Sequence, residues 1–344
     1  MSGKIKTAIL GYGKSGSSLH ADPLEKSPEF EVTVICDIDE NAQKEAKARF
    51  GNSRVYTCYK QMLKDEELDL VVIVTRSSQH ADMTCDCLNA GKNVLVTKPW
   101  AVNAAEAEKM IAAAKASGKL LMPWLPARWG GDLRRLRELI DSGVVGKVFQ
   151  VRRSDFSFGL REDWQTLKEF GGGYLLNWGP HLVDQPIQLV NKPIKSVYGE
   201  MRQIMNPGDV EDVFYAVIKT DDDTIIVSEC NIGANELPDW MVQGDKATIF
   251  VKGRKIEIHK AVFDDKPIGK NMYRKRAAIE VTTEMLSDEA VDSPFGDEHV
   301  IYAHIADAVR GKQAYHAPVE SALMLTRVLD AVRESSEAGK VVAL

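Results

Sequence analysis

The first third of the chain alternates short apolar runs with stretches of helical period. Ile5 to Leu10, Phe30 to Cys36, Leu68 to Thr75, Asn93 to Val96 and Lys119 to Met122 have strand length and strand composition. Between them, Asn41 to Phe50, Ser78 to Asn89 and Ala104 to Ala116 read as helices. Each stops near a glycine (Gly51, Gly91, Gly118) that suits a left-handed C-cap. Strands that alternate with helices predict βαβ units, and therefore a parallel, doubly wound sheet over residues 1–124.

Beyond Pro126 the pattern changes, and residues 125–344 read as a second domain. A helix from Leu133 to Ser142 and a strand from Val148 to Phe156 lead into a loop rich in charged and aromatic residues that ends at Gly173. Ser196 to Ile204, Val213 to Thr220, Thr224 to Ile232, Ala247 to Val251 and Arg254 to His259 then follow as strands without intervening helices. Asp221-Asp222-Asp223 marks a hairpin turn among them. Strands in succession predict a large, mostly antiparallel open sheet. Helices over about His299 to Arg310 and Pro318 to Ala338 close the chain. Ala261 to Pro294 is the least patterned stretch and is expected to hold a long loop. The fold class expected is therefore α/β in two domains.

Composition removes several classes of function. At 344 residues the chain exceeds one ordinary core, and 44% hydrophobic with 27% charged residues leaves no case for extended disorder. A net charge of −6 and a pI near 5.8, without a clustered basic stripe, argue against a nucleic-acid partner. The five cysteines (Cys36, Cys58, Cys85, Cys87, Cys230) are an odd number and suit a reducing compartment. Cys85-Asp86-Cys87 lacks the spacing of a zinc pair, so no metal is expected. No signal-peptide core or membrane-length apolar run is visible, which places the expected protein in the cytoplasm, away from membranes.

Gly11-Tyr12-Gly13-Lys14-Ser15-Gly16 follows the first strand directly. In that context the first glycine allows a tight turn, the second lets backbone approach a pyrophosphate, and the third lets helix pack on strand. Amide N–H groups at the start of the next helix would bind the anion. Asp37 closes the second strand, where a carboxylate accepts hydrogen bonds from the adenosine ribose. No arginine lies from Asp37 to Ala48 to neutralise a 2′-phosphate, so NAD is preferred over NADP. The first third thus reads as a Rossmann domain with Gly11, Gly13, Lys14, Ser15, Gly16 and Asp37 on the cofactor. The structural alternative is a glycine turn of a non-nucleotide fold, with Asp37 as a loop cap. Pro23 falls inside the first helix and should shorten or kink it, which leaves His20 facing the site or serving as a capping or packing histidine.

Thr97-Lys98-Pro99 ends a buried strand, so Lys98 projects from the carboxyl edge of a parallel sheet, where such sheets bind ligands. The second chemical element is the run from Gly171 to Gln185. Asn177, His181 and Asp184 share one helical face there, and Gly179-Pro180 should kink the helix or start a new segment. A new segment would set a positive helix end beside His181 and favour the neutral imidazole that a general base requires.

These features together resemble the glucose-fructose oxidoreductase, inositol dehydrogenase and rhizopine-catabolism (Gfo/Idh/MocA) family over nearly the whole chain. The resemblance rests on the glycine motif, Thr75 to His80, Thr97-Lys98-Pro99, the glycine run leading to His181 and Asp184, and the segment from Glu320 to Val342. It implies an open C-terminal sheet that covers the active site and often mediates oligomers, here a homodimer or homotetramer. It also implies Lys98 on substrate and nicotinamide ribose, His181 as acid/base, Asn177 in the catalytic set, and Thr75, His80 and Trp164 among the cofactor contacts. The chain departs from the family pattern at Arg76 (for Pro), Thr97 (for Glu), Asn177 (for the commoner Asp) and Gln165 (for Arg). Asparagine cannot take a proton, so the base role falls to His181.

The expected activity is hydride transfer between NAD and a secondary alcohol of a sugar, sugar acid or cyclic polyol. Arg128, Trp129, Asp155, Arg161 and Trp164 would line the pocket beside Lys98, Asn177 and His181. Two other readings stay open at this point: a redox-neutral enzyme that oxidises a sugar carbon transiently, and a nucleotide-sensing protein without chemistry. Retention of both Lys98 and His181 argues against the last.

Overall fold

A computed structural model describes residues 3–64, 67–269, 274–287 and 293–344. Six parallel strands form the first sheet: β1 (Ile5–Leu10), β2 (Phe30–Cys36), β3 (Arg54–Tyr56), β4 (Leu70–Ile73), β5 (Asn93–Val96) and β6 (Leu121–Pro123), in the order β3-β2-β1-β4-β5-β6. Helices α1 (Ala21–Lys26), α2 (Glu40–Arg49), α3 (Tyr59–Met62), α4 (His80–Asn89) and α5 (Ala104–Ser117) are the crossovers. Cover on both faces explains why β4 is buried at every position. The order reverses between β1 and β4, which is the switch point where such sheets open a ligand crevice.

The second sheet is mixed and has nine strands. In chain order these are β7 (Val148–Phe156), β8 (Ile194–Arg202), β9 (Val213–Thr220), β10 (Ile225–Asn231), β11 (Trp240–Gly244), β12 (Ala247–Lys252), β13 (Lys255–Val262), β14 (Ala278–Met285) and β15 (Val342–Ala343). They lie in the order β14-β13-β12-β11-β7-β10-β9-β8-β15, with β7 and β10 parallel and every other neighbouring pair antiparallel. The hairpin at Asp221-Asp222-Asp223 forms as expected, with Asp223 at φ +64°. β9 alternates buried and less buried positions, because α6 (Gly131–Asp141), α7 (Tyr174–Leu182), α8 (Asp184–Val190) and α10 (Val319–Ala338) pack their apolar residues against the buried face of this sheet.

Three features differ from the sequence reading. The unpatterned stretch Ala261 to Pro294 contains an edge strand, β14, whose positions are nearly all exposed and so carry no burial pattern. β11 is a further strand absent from the sequence reading; it is only five residues long, with Trp240 and Val242 buried in the core. Helix α9 (Glu298–Val309) belongs to the second half of the chain but packs on the first sheet. Its Ile301, Tyr302 and Ile305 share a core with Ile5, Ile9, Leu24 and Val72. A second core joins Val71, Ile73 and Trp100 to Leu175, Leu182, Phe214 and Leu329, so one apolar cluster spans the junction between the two sheets. Among the described residues no helix is long and apolar enough to cross a membrane.

Candidate active site

The glycine loop shows why three glycines are needed. Gly11 has φ +98°, and a Cβ there would lie 2.7 Å from the Val74 carbonyl; a Cβ on Gly16 would lie 2.2 Å from the Gly11 oxygen. A Cβ on Gly13 would meet nothing within 4 Å. The outer glycines therefore make the turn, and the middle one leaves an open cradle with exposed Lys14 and Ser15 at its rim. Asp37 stands at the end of β2 beside this loop. Its Oδ2 accepts from the Tyr12 N–H at 2.6 Å and its Oδ1 from the Asp39 N–H at 2.9 Å, which fixes the carboxylate while leaving lone pairs for ribose hydroxyls. The cradle and carboxylate fit a dinucleotide. Arg49, at the end of α2, donates to the Ser17 carbonyl at 2.7 Å and pairs with Glu25 at 2.7 Å, so its guanidinium is already engaged.

Pro23 does not end the helix after the loop: a π-helical turn from Gly16 to His20 leads into α1, which carries Pro23 in its first turn and continues to Lys26. His20 is a packing histidine. It is fully buried, its Nδ1 meets the Tyr302 hydroxyl at 2.8 Å, its Nε2 lies 3.4 Å from the Thr97 Oγ1, and burial pushes its pKa down to about 3.

His80 corrects an expectation. Both ring nitrogens face backbone carbonyls, Nδ1 that of Pro99 at 2.8 Å and Nε2 that of Thr75 at 3.0 Å, and the ring is buried. It clips the β4 end to the β5 end and has no nitrogen left for a cofactor, whereas Thr75 stays partly exposed on the crevice. The nonfamily residue Arg76 lays its guanidinium 3.9 Å from the centroid of Phe170, which ties the first sheet's rim to the glycine run.

The chemical centre forms where β5 meets α7. Lys98 Nζ donates to Asn177 twice, to the carbonyl at 2.9 Å and to Oδ1 at 2.6 Å. An ammonium has three donors, so one remains for a ligand. The same bond orients the amide: Oδ1 faces Lys98, and the Asn177 NH₂ group can only donate elsewhere. Burial lowers the Lys98 pKa to about 8, aided by the positive charge of Arg161. His181, one turn further along α7, is 5% exposed, and burial first, then Lys98 and Arg153, hold its pKa well below the ordinary value. It is neutral at pH 7. Its Nδ1 is buried with no hydrogen-bond partner among the described residues, which leaves Nε2 as the atom that can meet a ligand.

Neutrality of His181 has a different origin from the one expected. Helix α7 runs through Gly179 and Pro180 and ends at Leu182, so His181 sits in a last turn, where the helix end favours the cation. Desolvation and neighbouring cations outweigh that effect. Asp184 leaves the site altogether. It accepts both guanidinium bonds of Arg128, at 2.7 and 2.8 Å, in a pair almost without exposure. Arg128 also donates to Ser321 Oγ at 2.7 Å, so its guanidinium is taken up and does not line a pocket as expected, while the partly buried Trp129 packs edge-on or tilted against His304, Tyr315 and His316. Arg161 pairs with Asp163 at 2.9 Å while acting on Lys98 through its field. Asp155 is the penultimate residue of β7, with its carboxyl pushed up by burial, and Trp164 starts a 3₁₀ turn; neither bonds to the Lys98 cluster among the described residues. Gln165, at the family arginine position, has a buried Oε1 without a partner among the described residues.

Two residues escaped the sequence reading. The Phe295 and His181 ring centroids lie 4.9 Å apart, and the Phe295 N–H donates to Ser293 Oγ at 3.3 Å. Arg153, buried on β7, donates to Gln185 Oε1 at 2.9 Å and acts on His181 through its charge. Neither has a local signal, because the loop of one and the strand of the other approach α7 only in the folded chain.

Comparison with known proteins agrees with this geometry. Residues 5–124 match the oxidoreductase family with an NAD-binding Rossmann fold, and residues 133–250 match the Gfo/Idh/MocA C-terminal domain. The scyllo-inositol 2-dehydrogenase (NADP(+)) IolW of Bacillus subtilis is 26% identical, over 99% of this chain and 96% of that protein. The structure of the putative oxidoreductase yvaA from Bacillus subtilis superimposes with a TM-score of 0.85 at 22% identity, covering 100% of this chain and 99% of that one. The WlbA dehydrogenase from Bordetella pertussis, solved with NADH and UDP-GlcNAcA, gives 0.80 at 20% identity, covering 100% and 99%. The fold, the two matched domains and the glycine cradle together place this chain in the Gfo/Idh/MocA family of NAD-binding oxidoreductases.

Proposed function

We propose that the chain is an NAD-dependent dehydrogenase or reductase acting on a secondary alcohol of a sugar, sugar acid or cyclic polyol. The observation that carries this reading is the cluster at the β5 edge: an ammonium held on Asn177 with one free donor, beside a buried neutral imidazole. His181 Nε2 takes the hydroxyl proton of the alcohol. Lys98 stabilises the oxygen as it becomes negative, and it does so without reorganisation because Asn177 already holds it. The Asn177 NH₂ group orients a neighbouring hydroxyl. Bound NAD supplies the hydride acceptor. Gly11, Gly13, Lys14, Ser15 and Gly16 would hold its pyrophosphate, Asp37 its adenosine ribose, and Thr75, Lys98 and Trp164 the nicotinamide side. NAD is chosen over NADP because Asp37 would repel a 2′-phosphate and Arg49 is engaged elsewhere. The relatives named for scyllo-inositol and UDP-GlcNAcA support a polyhydroxylated ring as substrate.

The test follows absorbance of NADH with the purified protein across inositols, aldoses, glycosides and sugar acids, with NADP in parallel. Turnover of at least one ring alcohol with NAD, abolished in His181→Ala, is expected. Substrate conversion without net NADH would replace this reading by the redox-neutral one.

A further inference from the structure

Helix α7 carries Asn177 and His181, yet its own segment provides no cap: the residue ahead of it is Gly173. The first N–H groups are satisfied instead from the connection between β8 and β9. Tyr174 N–H donates to the Glu211 carbonyl at 3.0 Å, and Leu175 N–H donates to Glu211 Oε1 at 2.9 Å. Gly173, at φ +107°, makes the room, since a Cβ there would lie 2.4 Å from that Oε1. One turn on, Asn177 N–H donates to the Gly173 carbonyl at 3.0 Å, and the Asn177 oxygens receive Lys98. A continuous bonded path therefore runs from Glu211 through the first turn of α7 to the ammonium.

We propose that Glu211 is a positioning residue for the Lys98–Asn177–His181 site, a cap borrowed from a distant loop that sets where α7 presents Asn177 to Lys98. It deepens the dehydrogenase reading and rests on that reading for its kinetic consequences only. Glu211 also lines a cavity of about 530 Å³ with Arg333, Arg202, Lys168 and Asp209, on the side of α7 marked by Leu176. Burial raises the Glu211 carboxyl above the ordinary range, opposed first by the Leu175 N–H bond and then by Arg333, with Asp212 adding to the rise. The acceptor oxygen, and not the charge, is the feature α7 uses.

The experiment compares Glu211→Ala and Glu211→Gln in the full chain, by steady-state kinetics and by the imidazole NMR signal of His181, identified by its loss in His181→Ala. Glu211→Ala is expected to lower kcat about tenfold, with the KM for NAD within about twofold, and to shift the His181 signal, because small displacements of a reacting group are costly. Glu211→Gln keeps an acceptor oxygen and should retain both the rate and the signal. If Glu211→Ala does not fold, Glu211→Asp, which withdraws the carboxylate by one methylene, takes its place with the same expectations. A wild-type His181 signal and kcat in the Ala or Asp variant overturns the proposal, and so does a Gln variant as impaired as either. Should no ring alcohol be turned over by the wild type, the functional reading fails while the His181 signal still decides the role of Glu211.

Discussion

The two walls of the crevice are built by opposite means. The wall at β1 and β2 is mostly backbone: a glycine turn that leaves an open cradle, with one carboxylate locked beside it by two peptide N–H groups. The facing wall at α7 is made of side chains brought together from far apart, Lys98 from β5, Asn177 and His181 from α7, and Phe295 from the loop before α9. A backbone wall needs little from the rest of the fold and is specified locally. A side-chain wall depends on burial, buried ion pairs and borrowed caps, so substitutions around it should act on stability and on chemistry by separate routes.

The largest effect expected separates support from chemistry. Arg128→Met leaves the Asp184 carboxylate buried without its partner, and stability should fall by about 3–5 kcal/mol in urea unfolding. A loss below about 1 kcal/mol would show that Asp184 finds another partner and that the wall behind α8 is less tightly built than the geometry indicates.

Next in size, Lys98→Met and His181→Ala should each lower kcat by about 10²-fold or more, and in His181→Ala, which removes no cofactor contact, NAD binding by calorimetry should change little. Normal turnover in either variant would remove that residue from the reacting centre. On the opposite wall, Asp37→Ser should weaken NAD by roughly tenfold to a hundredfold, for one lost charge-assisted hydrogen bond, and should improve NADP. Equal affinity of the wild type for both cofactors would mean that Asp37 does not read the ribose.

The smallest effect is a shift in pH profile. In the role proposed for it Lys98 acts only while protonated, and its pKa of about 8 predicts a rate that falls as pH rises through that value. Asn177→Asp would set a carboxylate where Oδ1 now accepts from Nζ at 2.6 Å, favouring the charged lysine. The alkaline limb should move to higher pH by about one unit. A limb that stays in place would uncouple Asn177 from Lys98.

The sequence alone determined the parallel sheet and its cofactor edge. Continuous apolar strands, capped helices and a glycine motif are written in consecutive residues, and their physics is local backbone geometry and period. It also marked Lys98, Asn177 and His181, because a charge at a strand end and polar residues within an apolar helix break a pattern. Tertiary structure decided the rest. β14 is an exposed edge strand without alternation, so only pairing with β13 reveals it. Arg128 looks like a pocket residue until the fold pairs it with Asp184, and His80 looks like a ligand contact until both its nitrogens meet carbonyls. His181 is neutral because burial and two distant cations outweigh its helix end, and α7 is capped by Glu211 from another loop. Desolvation and long-range hydrogen bonds depend on which segments meet in space, and no window of consecutive residues contains that information.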